Sequence, residues 1–497
     1  MILPRRVPDL LRIRGRAAPD QVAHDDITNT LTFGAWDRQA DEIGGGLARA
    51  GVRDGDRVLL PISNRHATGF AIAYMAVLRA GGICVPISTR LKISEVSRFA
   101  TYVGARWAIT DQRELLSEEG LEGIWDLAAL PRDVSALPDQ GTLDPDAPCD
   151  ILPTSGTTGA PKGVVSTHTD LLHGLGDGAA ASPVRTLLHA LPFTGSGGCH
   201  SMMPMPLKSG AAIVTQPDFD PEGFLALIQE KRPDAVQAVP AMLRLIVDCP
   251  RAADYDASSL RWIFTGTAPL PHDTVERLTA LWPRPRLVNL YGMSEAGTGT
   301  KTRSRNSVLK PGSVGTPENP DAIQIRCDEG RIVAPGVVGE IWSRAERPRQ
   351  YWNDPEASAA TWQEGWLKTG DIGFIDPDGD LIINGRSKEI IIRGGYNIAP
   401  AEIEDVLLKH PAVAQAAVLG VSHAVLGEDV AAAIVLRREP AAGIPELSAW
   451  CRERLADNKI PRKWRFLPDL PTNQNGKVMK RELTAAFGIA GDDNYGL

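Results

Sequence analysis

The chain reads as a layered α/β protein: a large N-terminal domain of stacked α/β sheets, followed by a smaller α+β domain. Three observations predict this. Short β-branched runs alternate with amphipathic helical stretches, and strand–helix–strand order favours parallel sheets covered by helices. A length of 497 residues allows about three folding units, or fewer and larger ones. Charge then divides the chain, residues 385–497 carrying a net +1 and the remainder −9.

The elements follow in order. Asp56–Leu60 reads as a strand, Phe70–Arg79 as a helix and Gly81–Pro86 as the next strand. Leu137–Asp150 is rich in Pro, Gly and Asp and reads as an exposed connection. Pro400 opens a helix, because a proline at the first helical position gives up no hydrogen bond. Val413–Val421 and Val430–Leu436 read as buried strands. Residues 1–384 and 385–497 are taken as the two domains.

Composition excludes several classes. Apolar residues are 43% and charged residues 23%, which disfavours disorder, collagen and coiled coil. The net charge of −8 argues against a dominant nucleic-acid binder. Six cysteines without a C-x-x-C pair or a histidine cluster argue against zinc or a disulfide framework. The first twenty residues hold five arginines and no apolar core, unlike a secretory signal. The apolar stretch Phe70–Leu78 is too short to span a bilayer. The expectation is a soluble cytoplasmic protein with no membrane span and no nucleic-acid partner.

The most specific string is Thr154-Ser155-Gly156-Thr157-Thr158-Gly159-Ala160-Pro161-Lys162-Gly163. Its glycines let backbone amides converge on an anion, its hydroxyls add donors, and Lys162 adds a charge. The composition is that of a phosphate loop, but the Walker spacing is absent. Tyr291 offers an aromatic face, although a lone tyrosine is more often core. Glu295 offers a hard carboxylate suited to Mg²⁺. Asp371, between Gly370 and Ile372-Gly373 at an apparent strand start, can accept hydroxyl groups or form an Asx turn. Arg386 can donate nearby or pair with Asp371. His168, near a helix start, is expected to bond locally.

Taken together, these strings resemble the adenylate-forming superfamily: acyl-CoA synthetases, beetle luciferases and peptide-synthetase adenylation domains. The phosphate loop resembles that superfamily's signature. Thr265-Gly266-Thr267-Ala268-Pro269-Leu270 resembles its adenine-facing loop, and Tyr291-Gly292-Met293-Ser294-Glu295 its Tyr-Gly-x-Thr-Glu motif, with serine for threonine. Thr369-Gly370-Asp371 resembles its ribose site, Gly385-Arg386-Ser387-Lys388 its hinge, and Pro471–Leu483 its catalytic-lysine segment. The resemblance implies ATP-dependent activation of a carboxylic acid as an acyl adenylate. It implies Lys477, Glu295, Thr157 and Lys162 as catalytic groups, Mg²⁺ on Glu295, and a hinge near Lys388.

Arg393-Gly394-Gly395-Tyr396-Asn397-Ile398 points to CoA as acceptor, because paired glycines leave a channel for a thin thiol arm. A carrier protein, an amine or a small nucleophile is the alternative, and a degenerate adenylate-binding protein the non-enzymatic one. A homodimer is compatible with the sequence. For the acid, Phe193, Thr194, Gly195, His200, Phe264, Gly266 and Met293 are the expected pocket residues. No acidic residue lies between Asp177 and Asp218, which disfavours an α-amino acid. Thr194 and Gly195 stand where many acyl-CoA synthetases carry an aromatic residue and a histidine. That implies a pocket open to a ring-containing or otherwise bulky acid.

Overall fold

The computed structural model describes residues 4–154, 162–173, 184–296, 302–303, 310–345, 347–437, 442–472 and 477–487. Two mostly parallel sheets form the body. The first runs in the order Arg286–Leu290, Trp262–Gly266, Ala235–Gln237, Thr186–His189, Ala212–Thr215, Val22–Asp25 and Thr30–Thr32, with only the last pair antiparallel. The second runs Gly123–Asp126, Trp107–Thr110, Arg57–Leu60, Ile83–Pro86, Pro148–Thr154 and Lys162–Thr167, again closing on an antiparallel pair.

Between the sheets lies the helix Ala67–Arg79, buried on every face from Phe70 to Arg79 except at Ile72. Its continuous apolar run suits a helix with sheet or helix on all sides. Arg79 is 1% exposed and is held there by Asp37, Asp41 and the carbonyl of Pro8. Buried charge of this kind persists only when paired. Phe70 stacks on Phe193 with ring centroids 4.5 Å apart, and His189 meets Phe193 edge-on.

An antiparallel sheet follows: Ile323–Arg326, Gly339–Arg344, Trp366–Ile375 and Trp362–Gln363, with Leu381–Arg386 also paired to Trp366–Ile375. Asp371 therefore sits in the middle of a ten-residue strand, not at a strand start, and Arg386 is its cross-strand partner. The 3₁₀ turn Ser387–Glu389 leads out of this sheet. The chain then builds a separate sheet from Tyr396–Ile398, Ile391–Arg393, Gly427–Leu436, Val413–His423 and Lys463–Phe466. That sheet has its own core of Ile391, Ile403, Val418, Val430 and Leu447. The helix expected from Pro400 spans Pro400–Leu408, and the two expected strands pair with each other.

Three histidines lie inside the body. His24 is fully buried edge-on against Trp36, His189 shares a hydrogen bond with Thr215, and His168 accepts from the amide of Val7. His168 thus bonds far along the chain, to Val7, rather than locally. Burial lowers each of these imidazoles to a pKa of about 3. The native state keeps them neutral, whereas the unfolded chain takes up protons below a pH of about 6.5. Their contribution to stability is complete above that pH and declines as pH falls towards 3. Unfolding near pH 5 should therefore take up close to three protons. Each adds about 1.4 kcal/mol of destabilisation per pH unit. Thermal melting followed from pH 8 to pH 4 checks this, and a flat profile down to pH 4.5 would contradict it.

Candidate active site

The site forms where the first parallel sheet ends. Trp262–Gly266 and Arg286–Leu290 lie in register, with Gly266 opposite Leu290. A Cβ on Gly266 would sit 2.4 Å from the carbonyl oxygen of Leu290, so the two strand ends approach this closely only with glycine there. Thr267 follows in the left-handed region at φ 71°, an exposed, strained turn at the strand end. The neighbouring strand continues through Tyr291, Gly292 and Met293 into the 3₁₀ turn Ser294–Ala296.

Tyr291 reaches across to the antiparallel sheet. Its hydroxyl donates to Asp371 Oδ2 at 2.7 Å, and Arg386 Nε lies 3.0 Å from Asp371 Oδ1. Thr369 Oγ1 accepts from the Asp371 amide. The phenol of Tyr291 is held well above its ordinary pKa by burial and by the Asp371 charge, so it stays a donor. Lys477 lies within electrostatic reach of Arg386 and Asp371. It is half-buried rather than exposed, and its pKa is lowered by burial first and then by Arg386, with Glu389 and Asp371 opposing. The pKa of Lys388 is lowered by burial and by the charges of Arg386 and Lys477. Cations packed closely enough to depress one another create a field that favours an anion. Lys480, three residues beyond Lys477, lies 2.8 Å from Glu404 and 3.6 Å from Glu389, which anchors this segment.

A second cluster lies around Glu295. Its Oε1 accepts from the Tyr351 hydroxyl at 2.7 Å, and its carbonyl accepts from the Arg349 amide. The ammonium of Lys162 stands 5.0 Å from the Tyr351 ring centroid and 3.8 Å from Asp354. Burial and the Glu295 charge raise the pKa of the Tyr351 phenol. One aromatic ring thus joins the last basic residue of the phosphate loop to the carboxylate of the Tyr-Gly-Met-Ser-Glu string.

Beneath both runs a buried polar chain. Asp150, with no exposure, accepts from the Tyr74 hydroxyl at 2.7 Å and pairs with His200 Nε2 at 2.8 Å. Arg349 Nη1 lies 3.3 Å from His200 Nδ1 and donates to the carbonyl of Ser294 at 3.2 Å. The order of donors is Arg349 to His200 to Asp150, because a guanidinium only donates: Nδ1 accepts and the Nε2 proton faces Asp150. The Asp150 carboxyl is held below its ordinary pKa: burial alone would raise it, but His200, Tyr74 and Arg349 outweigh that.

Of the expected residues, Tyr291, Asp371 and Arg386 are brought into contact, and Glu295 and Lys162 meet on either side of Tyr351; Gly266, Thr267 and Ala268 and the string Tyr291, Gly292, Met293 and Ser294 leave adjoining strand ends. Thr154 ends its strand with its hydroxyl donating to the Lys162 carbonyl. Ser155, Gly156, Thr157, Thr158 and Gly159 lie outside the described residues. Phe193 does not line a pocket: at 1% exposure its ring is spent on Phe70 in the core. Thr194 is buried with its hydroxyl unpartnered among the described residues, and Gly195 caps the helix Ser196–Met202. Phe264 is half-buried against Trp262, and Met293 packs on Ala296, Ala345 and Leu367. Gly394 and Gly395 form an exposed turn, at φ 56° and 86°, between two strands of the C-terminal sheet. Sequence reasoning missed Asp150, Tyr74, Arg349 and Tyr351. One signal existed: a carboxylate at Asp150 directly before the apolar Ile151-Leu152 cannot enter a strand core unpaired.

This geometry coincides with a known family. A family model described as AMP-binding enzyme matches residues 11–347, and one described as AMP-binding enzyme C-terminal domain matches residues 402–477. The chain belongs to the AMP-binding enzyme family. It is 34% identical over 487 residues to a feruloyl-CoA synthase of an Amycolatopsis species, covering 96% of this chain and 98% of that one. It is 30% identical to a long-chain-fatty-acid–CoA ligase of Bacillus subtilis (strain 168), covering 94% and 91%. The crystal structure of the anthranilate CoA ligase AuaEII with anthranoyl-AMP superposes with a TM-score of 0.86 at 25% identity, covering 97% and 98%.

The buried polar chain makes a test of its own. Removing His200 takes away one of the two side-chain donors to the buried Asp150 carboxylate and leaves Tyr74 as the other. His200→Leu should therefore destabilise the protein by about 1–3 kcal/mol. The double variant Asp150→Leu/His200→Leu should recover part of that loss. Chemical denaturation of the three proteins measures it, and a double variant no better than the single one would refute the account.

Proposed function

We propose that the protein is an AMP-forming acid–CoA ligase, which activates a carboxylic acid as its acyl adenylate and passes the acyl group to the thiol of CoA. The observation that carries this reading is the cluster of Asp371, Tyr291, Arg386 and Lys477 at the end of the parallel sheet. It joins a hydroxyl-accepting carboxylate, an aromatic ring and two cations in one place, the groups that a nucleotide and a reacting carboxylate require.

In this reading Gly266, Thr267 and Ala268 face adenine, and Asp371 accepts the ribose hydroxyls with the lone pairs left by Tyr291 and Arg386. Lys162 and the loop residues Ser155–Gly159 hold the leaving pyrophosphate. Glu295 fits Mg²⁺ by its chemistry: a half-buried hard carboxylate with one oxygen hydrogen-bonded to Tyr351. Bound there, Mg²⁺ would neutralise charge on the phosphate oxygens. Lys477 stabilises charge at the α-phosphorus as the substrate carboxylate attacks and the bond to pyrophosphate breaks. The lowered pKa of Lys477 fits a group partly desolvated for that task. The domains hinge at Lys388, just after Arg386 leaves the antiparallel sheet. Gly394 and Gly395 then line the path of the thiol.

The acid is a ring-containing or otherwise bulky one. In this reading the small side chains of Thr194 and Gly195 admit the acid beside Phe264, Gly266 and Met293, while His200 is held on Asp150. Similarity to a feruloyl-CoA synthase and to an anthranilate CoA ligase supports an aryl acid. Six free cysteines support a reducing, cytoplasmic setting.

Pyrophosphate release with benzoate-like, medium-chain and short-chain acids, each with and without CoA, tests the reading. Preference for acetate, or indifference to CoA, would overturn it. Lys477→Ala should lower adenylate formation by about 10²–10³ while thioester formation from pre-made adenylate largely survives. Equal loss of both half-reactions would reject the role given to Lys477. Gly395→Leu should do the reverse. A Cβ there meets no atom within 4 Å, so the body of the fold is untouched, but the side chain would enter the thiol path and strain the turn. Adenylation should persist and CoA transfer fail, as separate half-reaction assays would reveal.

A further inference from the structure

We propose that Tyr351 is the positioning residue of the triphosphate site: its hydroxyl reserves one oxygen of Glu295 so that a small, strictly octahedral cation is preferred, while its ring holds Lys162. The inference rests on the assignment of the metal to Glu295 made above. It concerns a residue outside the phosphate loop and outside the Tyr-Gly-Met-Ser-Glu string.

The geometry is a two-sided clamp. The Tyr351 hydroxyl donates to Glu295 Oε1 at 2.7 Å, and its ring centroid lies 5.0 Å from Lys162 Nζ. The segment carrying Tyr351 is laced on both sides. Val165 donates to the carbonyl of Gln350, and Trp352 donates to that of Gly163, which fastens the segment to the strand following the phosphate loop. Arg349 donates from its amide to the Glu295 carbonyl and from Nη1 to the Ser294 carbonyl, which fastens it to the metal motif. The Tyr351 amide is itself satisfied by Ser358 Oγ at 2.9 Å. A ring held this firmly sets the position of both charged groups it touches.

The consequence for metal choice follows from coordination chemistry. A free carboxylate can chelate a cation through both oxygens, which Ca²⁺ accepts readily and Mg²⁺ does not. Chelation through both oxygens competes with the hydrogen bond that Oε1 accepts from Tyr351, whereas ligation through the other oxygen alone does not, the arrangement that suits Mg²⁺. The ring acts separately, because a cation over an aromatic face is attracted whether or not a hydroxyl is present. Phenylalanine and leucine at this position therefore separate the two roles.

Calorimetric titration of ATP into the full-length protein, without acid, tests this with Mg²⁺, with Ca²⁺ and in chelator. Tyr351→Phe should leave metal-free ATP affinity within about twofold, since the ring stays under Lys162. It should weaken Mg·ATP binding about tenfold or more, the scale of a lost hydrogen bond to a charged group. Ca·ATP binding should change little, so the ratio of the two affinities shifts towards Ca²⁺. Tyr351→Leu should in addition weaken metal-free ATP binding about threefold or more. An unchanged Mg²⁺-to-Ca²⁺ ratio in Tyr351→Phe, with an unchanged melting temperature, would overturn the proposal. So would equal metal-free affinities in the two variants. Glu295→Gln separates this from failure of the metal assignment: it should abolish the metal preference. If Glu295→Gln keeps the wild-type ratio, the metal does not sit on Glu295 and the assignment itself falls.

Discussion

Asp371 is the point at which the pieces of this protein are joined. A carboxylate with only 6% exposure in the middle of a strand must be compensated. Its two oxygens draw Tyr291 from the end of the parallel sheet and Arg386 from the last strand before the C-terminal domain. One charge therefore couples the parallel sheet, the antiparallel sheet and the segment that leads to Lys477. The same charge opposes the lowering of the Lys477 pKa by burial and by Arg386.

A similar economy appears at the buried Asp150. It occupies the strand that runs into the phosphate loop, yet its partners come from the central helix, from the helix Ser196–Met202 and, through His200, from Arg349. Arg349 in turn grips the turn that carries Glu295. Inside a low-dielectric interior such a chain is strong when complete and costly when broken. It ties the strand Pro148–Thr154, the helix Ser196–Met202 and the turn Ser294–Ala296 to one another.

The interior also explains why one expected pocket residue is not one. Phe193 stands next to Thr194 and Gly195, and its aromatic character suggests an acyl-pocket wall. The fold instead turns it onto Phe70, because the central helix needs a flat apolar partner there. His200 is likewise committed to Asp150 before any substrate arrives, whereas Phe264 and Met293 remain half-buried at the strand ends.

The sequence by itself determined the layered α/β class, the ordered motifs and most of the residues that meet at the strand ends. These depend on local rules: β-branched runs, glycines where backbones must approach, prolines at helix starts, and strings whose residue types match phosphate and ribose chemistry. Only the tertiary structure decided which charges face each other. Arg386 could be a free donor or a partner of Asp371 until strand register placed them opposite. Tyr351 and Arg349, some fifty residues beyond Glu295, carry no local mark of their contact with it. A hydrogen bond between distant residues depends on how separate strands and loops are brought together, and no spacing along the chain encodes that.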